Sequence, residues 1–153
     1  PDMMSAFRRL GRDDQGVAIL ELALAAPMLA LLVIGIVDIS NAYSRKLTLE
    51  QAAQRGIEKI MQTTDDDTVD TTIVTEVAAA AGVPQNKVNL EFWLECNNVR
   101  QGNFTSDCVA GQFEARYIRL TITDEFEPMF PVKFGANQNG KYPMTVKVGM
   151  RTR

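Results

Sequence analysis

A run of 21 residues from Val17 to Val37 carries a single ionisable side chain, Glu21. As a helix it extends roughly 31 Å, the thickness of a bilayer's hydrocarbon core. A 153-residue chain that spends this run on one apolar segment keeps only a modest core for the rest. A charge inside a membrane span costs on the order of 3 kcal/mol on insertion scales, so Glu21 calls for a role. A cleaved secretory signal fits less well, because its apolar core is typically about 7 to 15 residues and ends at a small-x-small site. Here Ala23, Ala25 and Ala26 lie mid-run, with Pro27 next, and the residues around Arg8-Arg9 match a twin-arginine signal poorly.

The helix is expected to continue past the run. Ile39, Tyr43, Leu47, Leu49, Ala53, Ile57 and Ile60 recur at close to three-or-four spacing, the mark of one helical face. Lys46/Glu50 and Arg55/Glu58 supply a solvated side. The expected rod, from about Val17 to Gln62, is roughly 69 Å long, apolar all round in its first half and amphipathic in its second. Pro27 and Gly35 fall where lipid tolerates a kink or local unwinding. Thr63 to Asp67 breaks the rod. Asp65, Asp66, Asp67 and Asp70 form an acidic cluster, but an EF-hand loop requires an oxygen ligand where Val69 stands and a glycine where Asp70 stands. Asp67 reads instead as the N-cap, and Asp70 as the acidic residue, of a short helix through Ala81. Gly82 stops it, with Pro84 following.

The remainder reads as β-structure. Val88, Leu90, Phe92, Leu94 and Cys96 alternate with Asn89, Glu91, Trp93 and Glu95, a half-buried strand. Ile118, Leu120 and Ile122 mark a second strand. Phe113, Ala115 and Tyr117 lie on its other phase, which predicts a bulge or a two-sided strand near Tyr117. Met144, Val146, Val148 and Met150 mark the last strand, after a long connection from Glu125 to Pro143. The fold class is α+β: a long N-terminal helix packed on a small antiparallel sheet of about three strands, plus a short helix. The apolar stripe of the rod's second half is expected to cover the sheet.

Cys96 and Cys108 enclose eleven residues in a polar segment on the far side of the span. A disulfide is the economical reading and closes a loop worth roughly 3 kcal/mol; the alternative is two unrelated thiols. A zinc site is not expected, since the chain has no histidine and two thiols alone are too few ligands. The same absence removes Ser-His and Cys-His nucleophile pairs, and no phosphate-cradling glycine loop or HExxH is present, so neither an enzyme nor a cofactor is expected. Glu91 and Glu95 share a strand face but read as solvated acids, and the Asn103-Phe104-Thr105 sequon as an ordinary loop. Sixteen basic and nineteen acidic residues give a net charge of -3, with no cluster beyond short pairs such as Arg8-Arg9 and Arg45-Lys46. No nucleic-acid partner is expected. Arg8, Arg9 and Arg12 before the run balance Arg45, Lys46 and Arg55 after it in the positive-inside count. The nearer arginines and the cysteine pair favour a cytoplasmic N-terminus. Because the chain opens on Pro1, Met3 or Met4 is the expected natural start.

The segment Arg12-Asp13-Asp14-Gln15-Gly16-Val17-Ala18-Ile19-Leu20-Glu21-Leu22-Ala23-Leu24-Ala25-Ala26-Pro27 resembles the N-terminus of the TadE-like family of tight-adherence pilus proteins. The likeness continues through Gly35-Ile36-Val37-Asp38, Tyr43, Gln51-Ala52-Ala53-Gln54-Arg55-Gly56 and the closing strand ending in Arg151. It implies a pilin-like fold and a minor pilin or pseudopilin of type IVc (Flp) pili. Such a protein is made as an inner-membrane precursor, cut by a prepilin peptidase, and assembled with other pilin and pseudopilin subunits at a pilus assembly platform. Carried onto this chain, the resemblance makes Gly16 and Val17 the flanks of the scissile bond. It makes Glu21 the assembly carboxylate that neutralises the new amine of Val17, an arrangement physics supports for a buried charge. The implied organisation is a leader over 1–16, a transmembrane half-helix over 17–37, an amphipathic half over 38–62, and a globular domain over 63–153. That domain is expected in the periplasm or carried on a surface pilus. Because the major Flp pilins are much smaller, a folded domain of this size implies a minor component. The alternative is an uncleaved signal-anchored envelope protein whose outer domain binds a partner.

Overall fold

The computed structural model describes residues 14–62, 69–129 and 136–152. Helix α1 (Asp14–Gln62) runs 49 residues, roughly 74 Å, through both Pro27 and Gly35. It starts three residues ahead of the expected Val17. Helix α2 (Val69–Ala81) and a 3₁₀ turn (Gln85–Lys87) lead into strands β1 (Val88–Cys96), β2 (Val99–Arg100), β3 (Glu114–Phe126) and β4 (Tyr142–Arg151). The chain is α+β, as its periodicities imply. The acidic residues Asp65, Asp66 and Asp67, including the expected N-cap, lie outside the described residues.

Helix α2 ends as its glycine dictates. Gly82 takes φ 63°. Its amide bonds the Ala79 carbonyl at 3.2 Å, and the Val83 amide bonds the Ala78 carbonyl at 3.0 Å. This crossed pair is the Schellman arrangement, and the buried Val83 and Ala78 supply its apolar contact.

The sheet has four antiparallel strands in the order β2-β1-β3-β4, one more than expected. The extra strand is a two-residue edge joined to β1 by Asn97-Asn98, whose φ values are 50° and 66°. Both loop residues thus take the left-handed conformation of a type I′ turn, which asparagine tolerates well. The β1–β3 register is unbroken from Val88↔Ile122 to Cys96↔Glu114, and β3–β4 likewise from Tyr117↔Arg151 to Phe126↔Tyr142. There is no bulge at Tyr117. The strand is two-sided, with Ile118, Leu120 and Ile122 facing the helices while Ala115 is buried on the opposite phase. Strand β4 also starts earlier than its apolar alternation shows, taking in Pro143, which an edge strand accommodates.

The core lies between the helices and the inner sheet face. Leu49, Ala52, Ala53, Ile57 and Ile60 of α1 meet Ile73, Val77 and Ala78 of α2, and Val88, Ile118, Leu120, Ile122 and Val146 of the sheet. Ile39, Tyr43 and Leu47, expected on this face, are 72%, 64% and 37% exposed. At 3.6 residues per turn they lie roughly 100° to 180° round the axis from Asp38, Arg45, Leu49, Ala52 and Gly56, which form the true inward face. Every residue from 17 to 34 is exposed.

Candidate functional site

Gly16 and Val17 sit within the first turn of α1, and the helix is continuous across the bond between them. Glu21 follows Val17 by four residues, so the two share one face about 6 Å apart along the axis. Glu21 is exposed among uncovered apolar neighbours. Among the described residues one helix, Val17–Gln62, is long and apolar enough to cross a membrane; its most apolar window has mean hydropathy 2.6 and is 0% buried. This end lies about 33 Å along the helix from Asp38, where the sheet first takes hold.

The attachment is polar as well as apolar. Asp38 is 6% exposed and accepts the Met129 amide at 2.8 Å. Around it Gly35, Ile39, Ala42, Phe126, Pro128, Tyr142 and Met144 line a cavity of about 320 Å³. Two turns on, Arg45 donates from Nε to Asp124 Oδ2 at 2.7 Å and from Nη2 to the Gly82 carbonyl at 3.4 Å. One side chain thereby ties α1 to β3 and to the end of α2. Further along, a Cβ on Gly56 would lie 2.5 Å from Val77 Cγ2 and 2.9 Å from Leu120 Cδ2, so the helices and sheet meet there at backbone distance. Lys59 pairs with Glu76 across the two helices. None of these roles was assigned from sequence. Asp38 carried the one available signal, a carboxylate at the edge of an apolar run.

Cys96 and Cys108 are joined, with their Cα atoms 5.7 Å apart. Several contacts pin the loop they close. Phe104 packs on Phe92 with centroids 5.3 Å apart, and the Gln101 amide bonds the Leu94 carbonyl at 2.7 Å. Arg116 reaches Glu114, Asp107 and the Ser106 carbonyl at 2.9, 3.1 and 3.1 Å. Asn103 Oδ1 accepts both the amide and the hydroxyl of Thr105, folding the sequon into a tight local turn.

On the outer sheet face Glu91 lies 3.9 Å from Arg119, and Glu95 accepts the Trp93 indole N–H at 2.9 Å. The two carboxylates thus serve the surrounding Arg and Trp side chains. The cysteine pair is brought together, while Gly16, Val17 and Glu21 stand apart from the sheet on the uncovered end.

Residues 16–57 match the family described as TadE-like protein. No curated protein and no solved structure matches the chain. The matched segment starts at Gly16 and closes one residue beyond Gly56, so it takes in the uncovered helix, Glu21, Asp38, Arg45 and the tight helix crossing. Over residues 16–57 this chain is similar to TadE-like proteins.

Proposed function

We propose that the chain is a minor pilin or pseudopilin of a tight-adherence (type IVc) pilus. A prepilin peptidase cuts between Gly16 and Val17, and Glu21 then pairs with the new amine of Val17, its own or a neighbour's. The helix anchors the protein in the inner membrane with the sheet domain in the periplasm, from which other pilin subunits and the assembly platform take it up. Its part in the pilus is structural and no catalysis is assigned to it. One observation carries the reading: the TadE-like match covers a helix whose first 18 residues after Gly16 are all exposed while its second half is built into a domain. Eighteen residues extend about 27 Å, close to a hydrocarbon core. The exposed Ile39, Tyr43 and Leu47 prolong that apolar surface beyond membrane depth, as helix-to-helix packing in a filament requires.

The test is co-expression with the cognate prepilin peptidase followed by mass analysis of the N-terminus. The product is expected to start at Val17. Glu21→Ala is expected to leave insertion and cleavage intact while removing the protein from sheared filaments. An intact leader in the presence of active peptidase favours instead an uncleaved signal-anchored envelope protein.

A further inference from the structure

The outer sheet face, on the opposite phase from Ile118, Leu120 and Ile122, carries a cluster of cations around stacked rings. Trp93 and Tyr117 lie opposite each other on β1 and β3, their rings 5.2 Å apart and 13° from parallel. The guanidinium carbons of Arg100 and Arg119 stand 5.0 and 4.8 Å from the Trp93 ring centre, so they lie no more than about 10 Å from each other. Arg100 is exposed, and the Arg119 side chain is 43% exposed. Opposite Arg119 on β4 is Gly149, which leaves a gap in the face, with Lys147 and Arg151 two residues to either side.

Stacking holds each guanidinium plane against a ring and leaves its N–H edges outward, an arrangement suited to carboxylates. Rings covered by guanidinium groups and by each other offer no platform for a base or a sugar. Glu91 lies 3.9 Å from Arg119, and Glu95 accepts the Trp93 indole N–H, so two carboxylates interrupt the positive field. A long polyanion meets repulsion there; a short segment with acids spaced to the arginines does not. Lipid headgroups are distant as well. Tyr117 lies nine residues along β3 from Phe126, which lines the cavity beside Asp38, a separation of about 30 Å. That is several times the screening length of about 8 Å at physiological salt. In an extended peptide the side chains of one face recur every ~7 Å, so carboxylates at alternate positions reach both guanidinium groups.

We propose that the outer sheet face around Trp93, Arg100 and Arg119 docks an extended acidic segment of a partner protein, one that carries carboxylates at alternate positions. Arg100 and Arg119 each take one carboxylate through their N–H edges, and the exposed Lys147, beside the gap at Gly149, takes a further one. The docking needs neither cleavage at Gly16 nor Glu21, and is testable on the unprocessed full chain.

Trp93 is the single tryptophan of the chain, so its fluorescence reports this site. The full chain, in micelles of an uncharged detergent, is titrated with a capped nine-residue peptide of alternating Thr and Glu, and with the same peptide carrying Gln for Glu. The Glu peptide is expected to change the emission saturably and to bind at least about tenfold more tightly than the Gln peptide. Arg100→Gln/Arg119→Gln is expected to weaken the Glu peptide by at least about tenfold. Lys46→Gln, which removes an exposed cation from α1, is expected to leave that affinity unchanged. Equal affinity for the two peptides, or no saturable change, overturns the proposal. So does equal weakening by Lys46→Gln, which marks a general effect of charge. A heparin hexasaccharide that binds more tightly than the Glu peptide assigns the face to a polyanion and equally overturns it. If the arginine variant loses near-UV dichroism, the comparison of the two peptides on the unaltered chain decides.

Discussion

Gly56 shows how one missing methyl sets the spacing of three elements. Alanine favours a helix interior over glycine by about 1 kcal/mol, and overpacking a core costs about 1–3 kcal/mol. Here the added carbon meets Val77 at 2.5 Å and Leu120 at 2.9 Å. Valine is stiff at χ1 and Leu120 is fully buried, so the steric cost exceeds the propensity gain. Gly56→Ala is therefore expected to destabilise the domain by about 1–2 kcal/mol in urea unfolding. A variant of unchanged midpoint would mean that α1 and α2 part easily. Arg45 acts through two directed bonds on different elements, and hydrogen bonds to charged groups are worth about 1.5–3 kcal/mol. With both partners partly solvated, Arg45→Met is expected to cost about 1–2 kcal/mol. Arg45→Lys should recover little, because a lysine lacks the fork that spans Asp124 and the Gly82 carbonyl.

At the level of elements, the disulfide-closed loop adjoins the core through Phe92 but is expected to open independently of the helix layer. Leu94 is fully buried yet lies outside the core cluster shared by the helices, on the strand face where Phe104 packs against Phe92. Removing the disulfide by Cys96→Ala/Cys108→Ala should cost about 3 kcal/mol by the loop-entropy model. Hydrogen exchange should locate the effect: the Gln101 amide, bonded to the Leu94 carbonyl, loses protection first, while the amides of Ala53 and Ile57 keep theirs. Equal acceleration in both places would show one cooperative unit.

The same division explains what could be read in advance. Long-period patterns were legible: the uncovered apolar run, the alternation in β1 and β4, the glycine stop at Gly82 and the cysteine pair all announce themselves in one dimension. Strand β2 did not, because two residues carry no alternation; its trace was the Asn97-Asn98 pair that tolerates positive φ. Ile39, Tyr43 and Leu47 were misplaced because hydrophobicity marks burial against lipid, protein or another helix alike, and only the position of Asp38 and Arg45 shows which face is inward. Asp38, Arg45 and Gly56 gained their roles from partners 91, 79 and 64 positions away, separations that no local pattern encodes.

For the molecule as a whole, the change from uncovered to covered helix at Gly35 and Asp38 divides the stretch apolar enough to cross a membrane from the part that carries the core. A chain beginning at Gly35 retains the core, the Asp38 and Arg45 attachments and the disulfide. It is expected to stay in solution without detergent, with a thermal midpoint close to that of the full protein in micelles. Aggregation on detergent removal would show that residues 17–34 also support the domain. Because α1 is a single helix from Asp14 to Gln62, with no flexible linker between its exposed and packed halves, the sheet is mounted directly on the shaft that carries it. A rotation or tilt at the exposed end is passed to the sheet along one continuous helix, as a handle turns a blade. Fixing the azimuth of the helix in a bundle would therefore fix the compass direction of the Trp93 face, and a helical stack of such shafts would display that face along a regular spiral.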